Sequence, residues 1–258
     1  MTDPSALDTP AKPKRTPINT RVQQVSRIGP HTVRMVLTGG GLREFPVGAF
    51  TDHYVKLLFS PVTRTFTVRE YDGEKNALTI DFVVHGDSGI AGPWAAQARP
   101  GDEIALLGPG GGYAPSIDAD WYLLAGDASA LPAIAVALQR IPAGRTAHVF
   151  LEVDGAGEEQ PLPSEADAHI HWVPRTATAL LDAVRALEFP PGVLDAFVHG
   201  EAGAVRSLRR HLLAERGVAR EALSASGYWK RGRTDEGWRA DKPEWKRQAA
   251  LEERSAGH

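Results

Sequence analysis

The sequence predicts a mixed β and α/β protein, with an antiparallel barrel first and a parallel sheet with helices second. Strand-like alternation of apolar residues dominates from Ile18 to Tyr113, whereas short apolar strands alternate with apolar helices from Trp121 onward. Glycine and proline, 26 and 19 of the 258 residues, favour many short strands and turns over a helical bundle. A hydrophobic share of 42% is enough for a folded core.

In the first half, residues 1–17 are rich in Pro, Thr, Asp and Lys and predict a flexible leader. The alternation in Tyr54–Phe59 and in Leu78–Val84 predicts two strands with one apolar face each. A short helix is expected at Trp94–Ala98. Turn residues separate these runs at 39–41, 72–73 and 100–102. Together they predict a barrel domain over 18–115.

In the second half, the strand Trp121–Ala125 precedes an apolar helix that runs to about Gln139. Further strands are expected at His148–Val153, Ile170–Pro174 and Asp195–His199, with helices at Ala179–Phe189 and around Val205–Leu212. Alternating strands and helices indicate a parallel sheet over 116–230. The polar and basic residues 231–258 predict an extension that ends in an exposed helix.

Composition and charge exclude several classes. The 29 Lys and Arg against 32 Asp and Glu give a net charge of −3, which argues against a nucleic acid or an anionic membrane as partner. The absence of cysteine excludes disulfides, thiolate chemistry and cysteine-ligated zinc or iron–sulfur clusters. Without a secretory signal or an apolar span, we expect a cytoplasmic protein with no membrane insertion.

The densest functional cluster is R-T-F-T-V-R at Arg64–Arg69. On a strand, Arg64 and Phe66 share one face, and Thr65 and Thr67 the other. A cation for phosphates, an aromatic face and a hydroxyl are what a bound flavin requires. The alternative is an exposed strand with a buried Phe66.

Two further clusters lie where a strand gives way to a helix. Small residues in His85–Ala95 would let backbone N–H groups approach an anion at a helix N-terminus; the alternative is a glycine-rich connection without a ligand. Gly126–Pro132 follows a buried strand, where α/β sheets present a strand end to nucleotides. It lacks the G-x-G-x-x-G spacing, and a helix capped by Asp127 or Ser129 is the alternative.

Other patterns predict no chemistry. The glycines of 108–112 are followed by neither a lysine nor a predicted helix, and His169 and His171 read as an ordinary strand without a carboxylate partner. The basic residues after Lys230 are interleaved with acidic ones, which favours a solvated face. No Ser–His–Asp pattern is present. We therefore predict neither a catalytic side chain nor a protein-bound metal.

The order of the motifs resembles that of the siderophore-interacting protein family. Members of this family are flavin-dependent ferric-siderophore reductases within the ferredoxin-reductase-like superfamily. The resemblance extends from Ile18 to about Arg239 and includes H-G-D-S-G-I-A-G-P-W-A, G-D-A-S-A-L-P-A-I, H-G-E and S-G-Y-W-K-R-G. It implies that the barrel binds FAD and that the α/β domain binds a nicotinamide cofactor.

On the FAD side, the resemblance implies that Arg64 pairs with the phosphates, Phe66 stacks on the isoalloxazine and Thr67 bonds near N5. The family usually has Tyr at Phe66, and Pro and Ser at Ile90 and Gly92, so hydroxyl contacts to FAD are missing here. The remaining FAD-side candidates are Thr65, Val83, His85, Gly86, Gly89, Ala91, Trp94 and Ala95.

On the nicotinamide side, the resemblance implies a strand-end site with an aromatic pair, Tyr228 and Trp229, that covers the flavin until nicotinamide displaces it. The other candidates are Gly126, Asp127, Ser129, Ala130, Pro132, Gly200 and Glu201. Glu152, at the end of its strand, would accept hydrogen bonds from a ribose 2′-OH and repel a 2′-phosphate. This favours NADH over NADPH as the NAD(P)H donor.

The function implied by the resemblance is the transfer of electrons from NAD(P)H through FAD to Fe(III) in a ferric siderophore. Because many ferric siderophores are anionic, Lys56 with Lys230 or Arg231 is expected to line a cationic pocket; the alternative is that all three are solvated. Three other functions stay open: a general flavin reductase, a reductase with ferredoxin as donor, and a siderophore-binding module that has lost FAD.

Overall fold

The computed structural model describes residues 16–84 and 89–256. The predicted leader, apart from its last two positions, lies outside the described residues, and so do the predicted site residues His85 and Gly86. Within the described ranges, no helix is long and apolar enough to cross a membrane.

Six antiparallel strands close into the predicted barrel, in the order β1-β2-β5-β4-β3-β6. The strands are β1 (Ile18–Gly29), β2 (Thr32–Thr38), β3 (Tyr54–Phe59), β4 (Val62–Asp72), β5 (Ala77–Val83) and β6 (Glu103–Gly110). The helix α1 (Ala91–Gln97) lies between β5 and β6 in the chain and begins earlier than the predicted Trp94.

Alternating apolar side chains fill the barrel. In β3, Val55 and Leu57 are fully buried, and the residues before each of them are exposed, as the alternation predicts. In β5 the alternation is incomplete because Thr79 and Asp81 are buried as well. Asp81 accepts two hydrogen bonds from Arg34, both at 2.7 Å, so the buried carboxylate is paired.

The second half forms a five-stranded parallel sheet, in the order β11-β10-β7-β8-β9. Its strands are β7 (Trp121–Asp127), β8 (Thr146–Val153), β9 (Asp167–Pro174), β10 (Leu194–Glu201) and β11 (Leu223–Trp229). Its helices are α2 (Leu131–Arg140), α3 (Ala179–Arg185), α4 (Ala202–Arg210) and α5 (Asp235–Ala256). The predicted fold class is therefore confirmed, although α3 ends four residues before the predicted Phe189.

The two faces of the sheet carry separate apolar cores because successive strand residues point to opposite sides. Leu124 and Phe197 pack with Ile134 of α2 on one face. Leu123 packs with Val184 of α3 and Val205 of α4 on the other face. Both faces of the sheet are thus covered by apolar side chains, as a parallel sheet requires.

The barrel and the sheet are joined at Glu158, which follows β8. Its carboxylate accepts a hydrogen bond from the backbone N–H of His31 at 3.0 Å and lies 2.6 Å from Nδ1 of the same residue. Glu158 is buried, whereas the His31 side chain is 48% exposed. The turn between β1 and β2 therefore carries a polar contact that fixes the barrel against the sheet.

The C-terminal extension corrects one expectation. The predicted exposed helix is α5, but its tryptophans Trp238 and Trp245 are buried against the core that α4 also covers. The indole of Trp245 donates a hydrogen bond to the carbonyl of Ala202 at 3.2 Å. The prediction was wrong because two widely spaced tryptophans in a mostly charged segment give little apolar periodicity, yet each buries a large area.

Candidate functional site

Arg64 lies on β4 and points toward the C-terminal helix. Its guanidinium is 2.7 Å from the carboxylate of Glu236 and 3.3 Å from that of Asp235, and its side chain is only 14% exposed. Burial of a cation is unfavourable unless an anion pairs with it. The position predicted to hold the FAD phosphates is thus an anion site, occupied here by the first turn of α5.

Aromatic rings line the barrel next to Arg64. The ring of Phe66 lies 4.5 Å from that of Phe82, which in turn lies 5.7 Å from Trp94 of α1. Phe66 is half-buried, and Thr67, which follows it, is buried. The structure therefore brings together Phe66, Thr67 and Trp94, three of the predicted FAD-side residues, on adjoining elements.

Gly89 and Ile90 lead from the described part of the loop into α1. Gly89 has φ +83°, which favours glycine, and within the described residues no side chain bonds to the helix start, whose N-cap position is Ile90. Ala91 and Ala95 are buried against the barrel, and Val83 ends β5 nearby in sequence. Thr65, by contrast, is exposed.

These groups fit FAD. The Arg64 guanidinium would bind a diphosphate in place of the two carboxylates of α5, and the backbone N–H groups at the start of α1 would favour an anion. The half-buried ring of Phe66 and the adjacent hydroxyl of Thr67 suit an aromatic ring with a polar edge. The residues that would hold FAD are therefore Arg64, Phe66, Thr67 and the segment 89–91.

At the end of β7, Asp127 connects three strands. One carboxylate oxygen accepts hydrogen bonds from the N–H and hydroxyl of Ser129, at 2.9 and 2.5 Å. The other accepts from the N–H of Glu201 and from the indole of Trp229, both at 2.8 Å. The four donors come from the ends of β10 and β11 and from the loop after β7. The carboxylate of Asp127, which is 2% exposed, therefore holds these strand ends together.

Helix α2 starts beside this carboxylate and has no side-chain cap. Its N-cap residue is Ala130, so the alternative of a helix capped by Asp127 or Ser129 is wrong in detail. Pro132 occupies the first turn, where it removes no needed N–H group. At Gly126, an added Cβ would lie 2.5 Å from the carbonyl oxygen of His199, so a side chain has no room there.

Gly200 and Glu201 shape the neighbouring strand end. Gly200 has φ +132°, and a Cβ there would meet the Asp127 carboxyl at 2.8 Å. The Glu201 carboxylate caps α4 by accepting hydrogen bonds from Gly203 and Ala204 at 2.7 and 2.9 Å. The predicted nicotinamide-side residues therefore form one connected cluster.

The aromatic pair extends this cluster toward the barrel. Tyr228 lies next to the Thr67 side chain, and burial raises the pKa of its hydroxyl well above the ordinary value. It is also joined to Nδ1 of His199 by a hydrogen bond of 3.0 Å. The Trp229 indole lies over Asp127 and within 5.9 Å of the Arg175 guanidinium. Thr67, expected near N5 of the flavin, and Tyr228, expected at its far face, are therefore neighbours.

Glu152 ends β8 and is buried, which raises the pKa of its carboxyl, with Arg175 opposing the shift. The Nε of Arg175 is 3.6 Å from Glu152 and 2.6 Å from Asp154. The guanidinium of Arg175, which directly follows β9, is therefore flanked by two carboxylates at this strand end.

The three cationic candidates differ in exposure. Lys56 and Arg231 are exposed and Lys230 is half-buried. The backbone N–H of Arg231 donates a hydrogen bond to Glu201 at 3.1 Å, which places it beside the strand-end cluster. Lys56 lies opposite Thr65 in the register of β3 and β4.

Three groups at this site were not predicted from the sequence: His199, Arg175 and the acidic pair of α5. His199 is part of the motif H-G-E. Its hydrogen bond to Tyr228 follows only from the pairing of β10 with β11. Arg175 follows β9, and its contact depends on the sheet order. The acidic pair is remote in sequence from Arg64, so no local pattern signals it.

Comparisons with known proteins identify the family. A model of the siderophore-interacting protein matches residues 119–232, and a model of the siderophore-interacting FAD-binding domain matches residues 21–61 and 59–113. The chain belongs to the siderophore-interacting protein family, as the resemblance of its motifs indicated.

Individual relatives agree with this placement. Ferric vibriobactin reductase ViuB of Vibrio cholerae is 38% identical over 188 residues, which cover 70% of this chain and 69% of that protein. The NADPH-dependent ferric-chelate reductase of Escherichia coli is 26% identical over 253 residues, 86% of this chain and 98% of that protein. The crystal structure of a siderophore utilization protein from T. fusca is 36% identical, with a TM-score of 0.76 over 85% of this chain and 95% of that one.

The fold itself extends further. The ferredoxin reductase in carbazole 1,9a-dioxygenase superposes with a TM-score of 0.66 at 16% identity, covering 85% of this chain and 71% of that one. The barrel-then-sheet arrangement is therefore that of the ferredoxin-reductase-like fold.

Proposed function

We propose that the protein is an FAD-dependent ferric-siderophore reductase that takes electrons from NAD(P)H and releases Fe(II) in the cytoplasm. The observation that carries this proposal is the mostly buried cation Arg64 on the same strand as Phe66 and Thr67, with Thr67 beside Tyr228 of the parallel sheet. The names of the V. cholerae and E. coli relatives support the same reaction.

FAD, when bound, would supply the redox chemistry, because it can accept a hydride from nicotinamide and pass single electrons to Fe(III). The chain's task is to bind and orient. Arg64 and the start of α1 would hold the phosphates, Phe66 would contact the ring, and Thr67 would hold a hydrogen bond at its polar edge. Tyr228 would cover the other face and exclude water until nicotinamide arrives.

We propose 18–115 as the FAD-binding unit and 116–230 as the NAD(P)H-binding unit. The spans of the two family models support this division. The segment 231–258 then acts as an extension that reaches back to the barrel through Asp235, Glu236 and Arg239, which donates to the carbonyl of Thr63 at 2.6 Å.

For the donor, we propose NADH ahead of NADPH. A 2′-phosphate at the end of β8 would meet the carboxylates of Glu152 and Asp154, and Arg175 is already paired with both. The E. coli relative is named NADPH-dependent, so this preference is a property of the present chain's residues rather than of the family.

For the substrate, we propose an anionic ferric siderophore that approaches Lys56 and Lys230 or Arg231. Lys56→Glu should reduce turnover of an anionic ferric chelate severalfold and leave reduction of a neutral chelate unchanged, because only the charge attraction is lost. Lys75→Glu, at an exposed lysine paired with Asp72 in the turn after β4, is the matched control. Equal turnover in the Lys56 variant would remove this lysine from the substrate site.

The proposal is tested by adding FAD to the purified protein and measuring formation of Fe(II) from a ferric siderophore with NADH or NADPH. Arg64→Ala should lose FAD binding and Fe(II) formation together. Arg21→Ala, which breaks an exposed ion pair between Arg21 on β1 and Glu103 on β6, should keep both. A protein that binds no FAD but binds the ferric siderophore would instead be a siderophore-binding module.

A further inference from the structure

A series of polar side chains around the buried His199 leads from the barrel into the sheet. Nδ1 of His199 is 3.0 Å from the hydroxyl of Tyr228, and Nε2 is 2.9 Å from the hydroxyl of Ser224. Tyr228 in turn lies next to Thr67. His199 therefore bonds to a hydroxyl at each ring nitrogen, and Thr67 on β4 lies beside the first of these hydroxyls.

The far end of the chain reaches solvent. Ser224 lines an open cavity of about 560 Å³ between the start of β11, the start of β10 and the segment 112–119. The near end is Thr67, the hydroxyl that we place at the polar edge of the flavin. The chain thus connects the proposed flavin site to a water-accessible space away from the nicotinamide side.

His199 is held as a neutral imidazole. It is 4% exposed, its ring is stacked on Phe197 with 3.7 Å between centroids, and burial lowers its pKa to about 3. A neutral imidazole has one N–H and one lone pair, so it can accept a proton at one nitrogen while it gives up a proton at the other. Such a ring can pass a proton on without becoming charged.

We propose that Thr67, Tyr228, His199 and Ser224 form a proton relay from the flavin to the cavity. The proposal rests on the proposed reductase function. FAD, if bound and reduced, would carry one proton at N5, and the loss of its two electrons to two ferric chelates would leave two Fe(II) ions, the oxidised cofactor and that one proton. That proton must leave a site that Tyr228 closes to water.

Each hop in the relay breaks one bond to hydrogen and forms another. Thr67 would accept the proton that leaves the cofactor edge while its own hydroxyl proton passes to the oxygen of Tyr228. The Tyr228 proton passes to Nδ1 of His199, and the Nε2 proton passes to Ser224. Ser224 releases its own proton to water in the cavity, and His199 is left as the other neutral tautomer.

Rapid-reaction kinetics separate the relay from a structural role. Reduction by NADH delivers hydrogen as hydride and does not need the relay, whereas reoxidation by a ferric hydroxamate does. His199→Phe, which keeps the stack on Phe197, should slow reoxidation about tenfold or more and change its solvent deuterium isotope effect. The rate of reduction by NADH should stay within about twofold of the parent.

Neighbouring serines provide matched variants. Ser224→Ala should reproduce the slow reoxidation, and Ser226→Ala, on the same strand face but without a bond to His199, should not. Reoxidation as fast as in the parent, with the same isotope effect, in both the His199 and Ser224 variants would overturn the relay. Failure of NADH or NADPH to reduce the bound flavin in the parent would instead overturn the reductase proposal.

A second readout needs no flavin. Nitrogen NMR of the protein should show His199 as a single neutral tautomer whose shifts do not titrate between pH 5 and 8, and Ser224→Ala should shift Nε2 more than Nδ1. A histidine signal at this position that titrates like a free imidazole would show that the chain does not exist in solution.

Discussion

The guanidinium of Arg64 lies 2.7 Å from the carboxylate of Glu236, so the cation expected to bind the phosphates of FAD is paired with the C-terminal helix. Asp235 adds a second carboxylate at 3.3 Å. The arrangement joins the barrel to a segment more than half the chain away in sequence. It also places the extension in competition with the cofactor for the same cation.

This competition predicts that Glu236→Gln strengthens FAD binding. Because the Glu236 side chain is 53% exposed, its attraction to Arg64 is screened, and we expect the dissociation constant for FAD to fall about threefold to fivefold. Fluorescence titration of FAD measures the change. Glu244→Gln, in the same helix and paired with Arg247, is the control. Weaker binding by the Glu236 variant would show that the carboxylate orients Arg64 instead.

The four hydrogen bonds to Asp127 predict that Asp127→Asn destabilises the fold. The amide would present a donor to groups that are themselves donors, and leaving one buried N–H unsatisfied costs about 2 kcal/mol. Urea unfolding measures the loss. Asp118→Asn, at an exposed loop position, should leave the free energy of unfolding unchanged. A variant at Asp127 as stable as the parent would contradict the role of this carboxylate.

The low pKa of His199, about 3, predicts a specific dependence of stability on pH. As the pH falls below about 6.5, the unfolded chain takes up a proton at this residue and the native state does not. Between pH 7 and pH 5 the free energy of unfolding of the parent should therefore fall by about 2 kcal/mol because of this residue. His199→Phe should not show this part of the fall. The raised pKa values of Glu152 and Asp195 act in both proteins and cancel in the difference. Equal losses in the two proteins would contradict the burial of a neutral imidazole.

The contacts of Arg175 predict how the donor preference can be changed. Glu152→Gln together with Asp154→Asn removes both charges that oppose a 2′-phosphate and leaves the guanidinium to meet it. The ratio of kcat/KM for NADPH to that for NADH should rise about tenfold. Asp167→Asn, at the opposite end of β9, should leave the ratio unchanged. An unchanged ratio in the double variant would mean that this strand end does not contact the ribose 2′ substituent of the donor.

The burial of Trp245 predicts that the extension contributes to stability. Trp245→Ala removes a side chain that is 7% exposed together with its hydrogen bond to Ala202, and should cost about 3 kcal/mol. Thermal unfolding measures the loss, and Leu251→Ala, at an exposed position of the same helix, should be nearly neutral. If the Trp245 variant is as stable as the parent, the extension is solvated, as its composition indicates, and does not stabilise the fold by packing.

The fold could be predicted from the sequence because its signals are local. Alternation in Tyr54–Phe59 fixed a strand to the residue, and the strand–helix rhythm after Trp121 gave the parallel sheet. The contacts of α5 could not be predicted in this way. Trp238 and Trp245 are anchored by a surface that exists only after α4 has packed on the sheet.

The candidate site shows the same division. Arg64, Phe66, Thr67 and Asp127 were singled out because residue types of this kind, on a strand or at a strand end, suit a flavin or a nucleotide. Their partners were not, because Glu236 reaches Arg64 from the C-terminal helix and His199 reaches Tyr228 from the neighbouring strand. Residue chemistry can be read along the chain, whereas the pairing of charges and hydrogen bonds depends on topology.

The measurement that tests the central claim most directly is the visible absorption spectrum of the FAD-loaded protein, recorded anaerobically in two steps. NADH should bleach the flavin bands, and a ferric siderophore added next should restore them while an Fe(II)-specific dye develops colour. Flavin bands that neither NADH nor NADPH bleaches, or bleached bands that the ferric siderophore does not restore, would contradict the account.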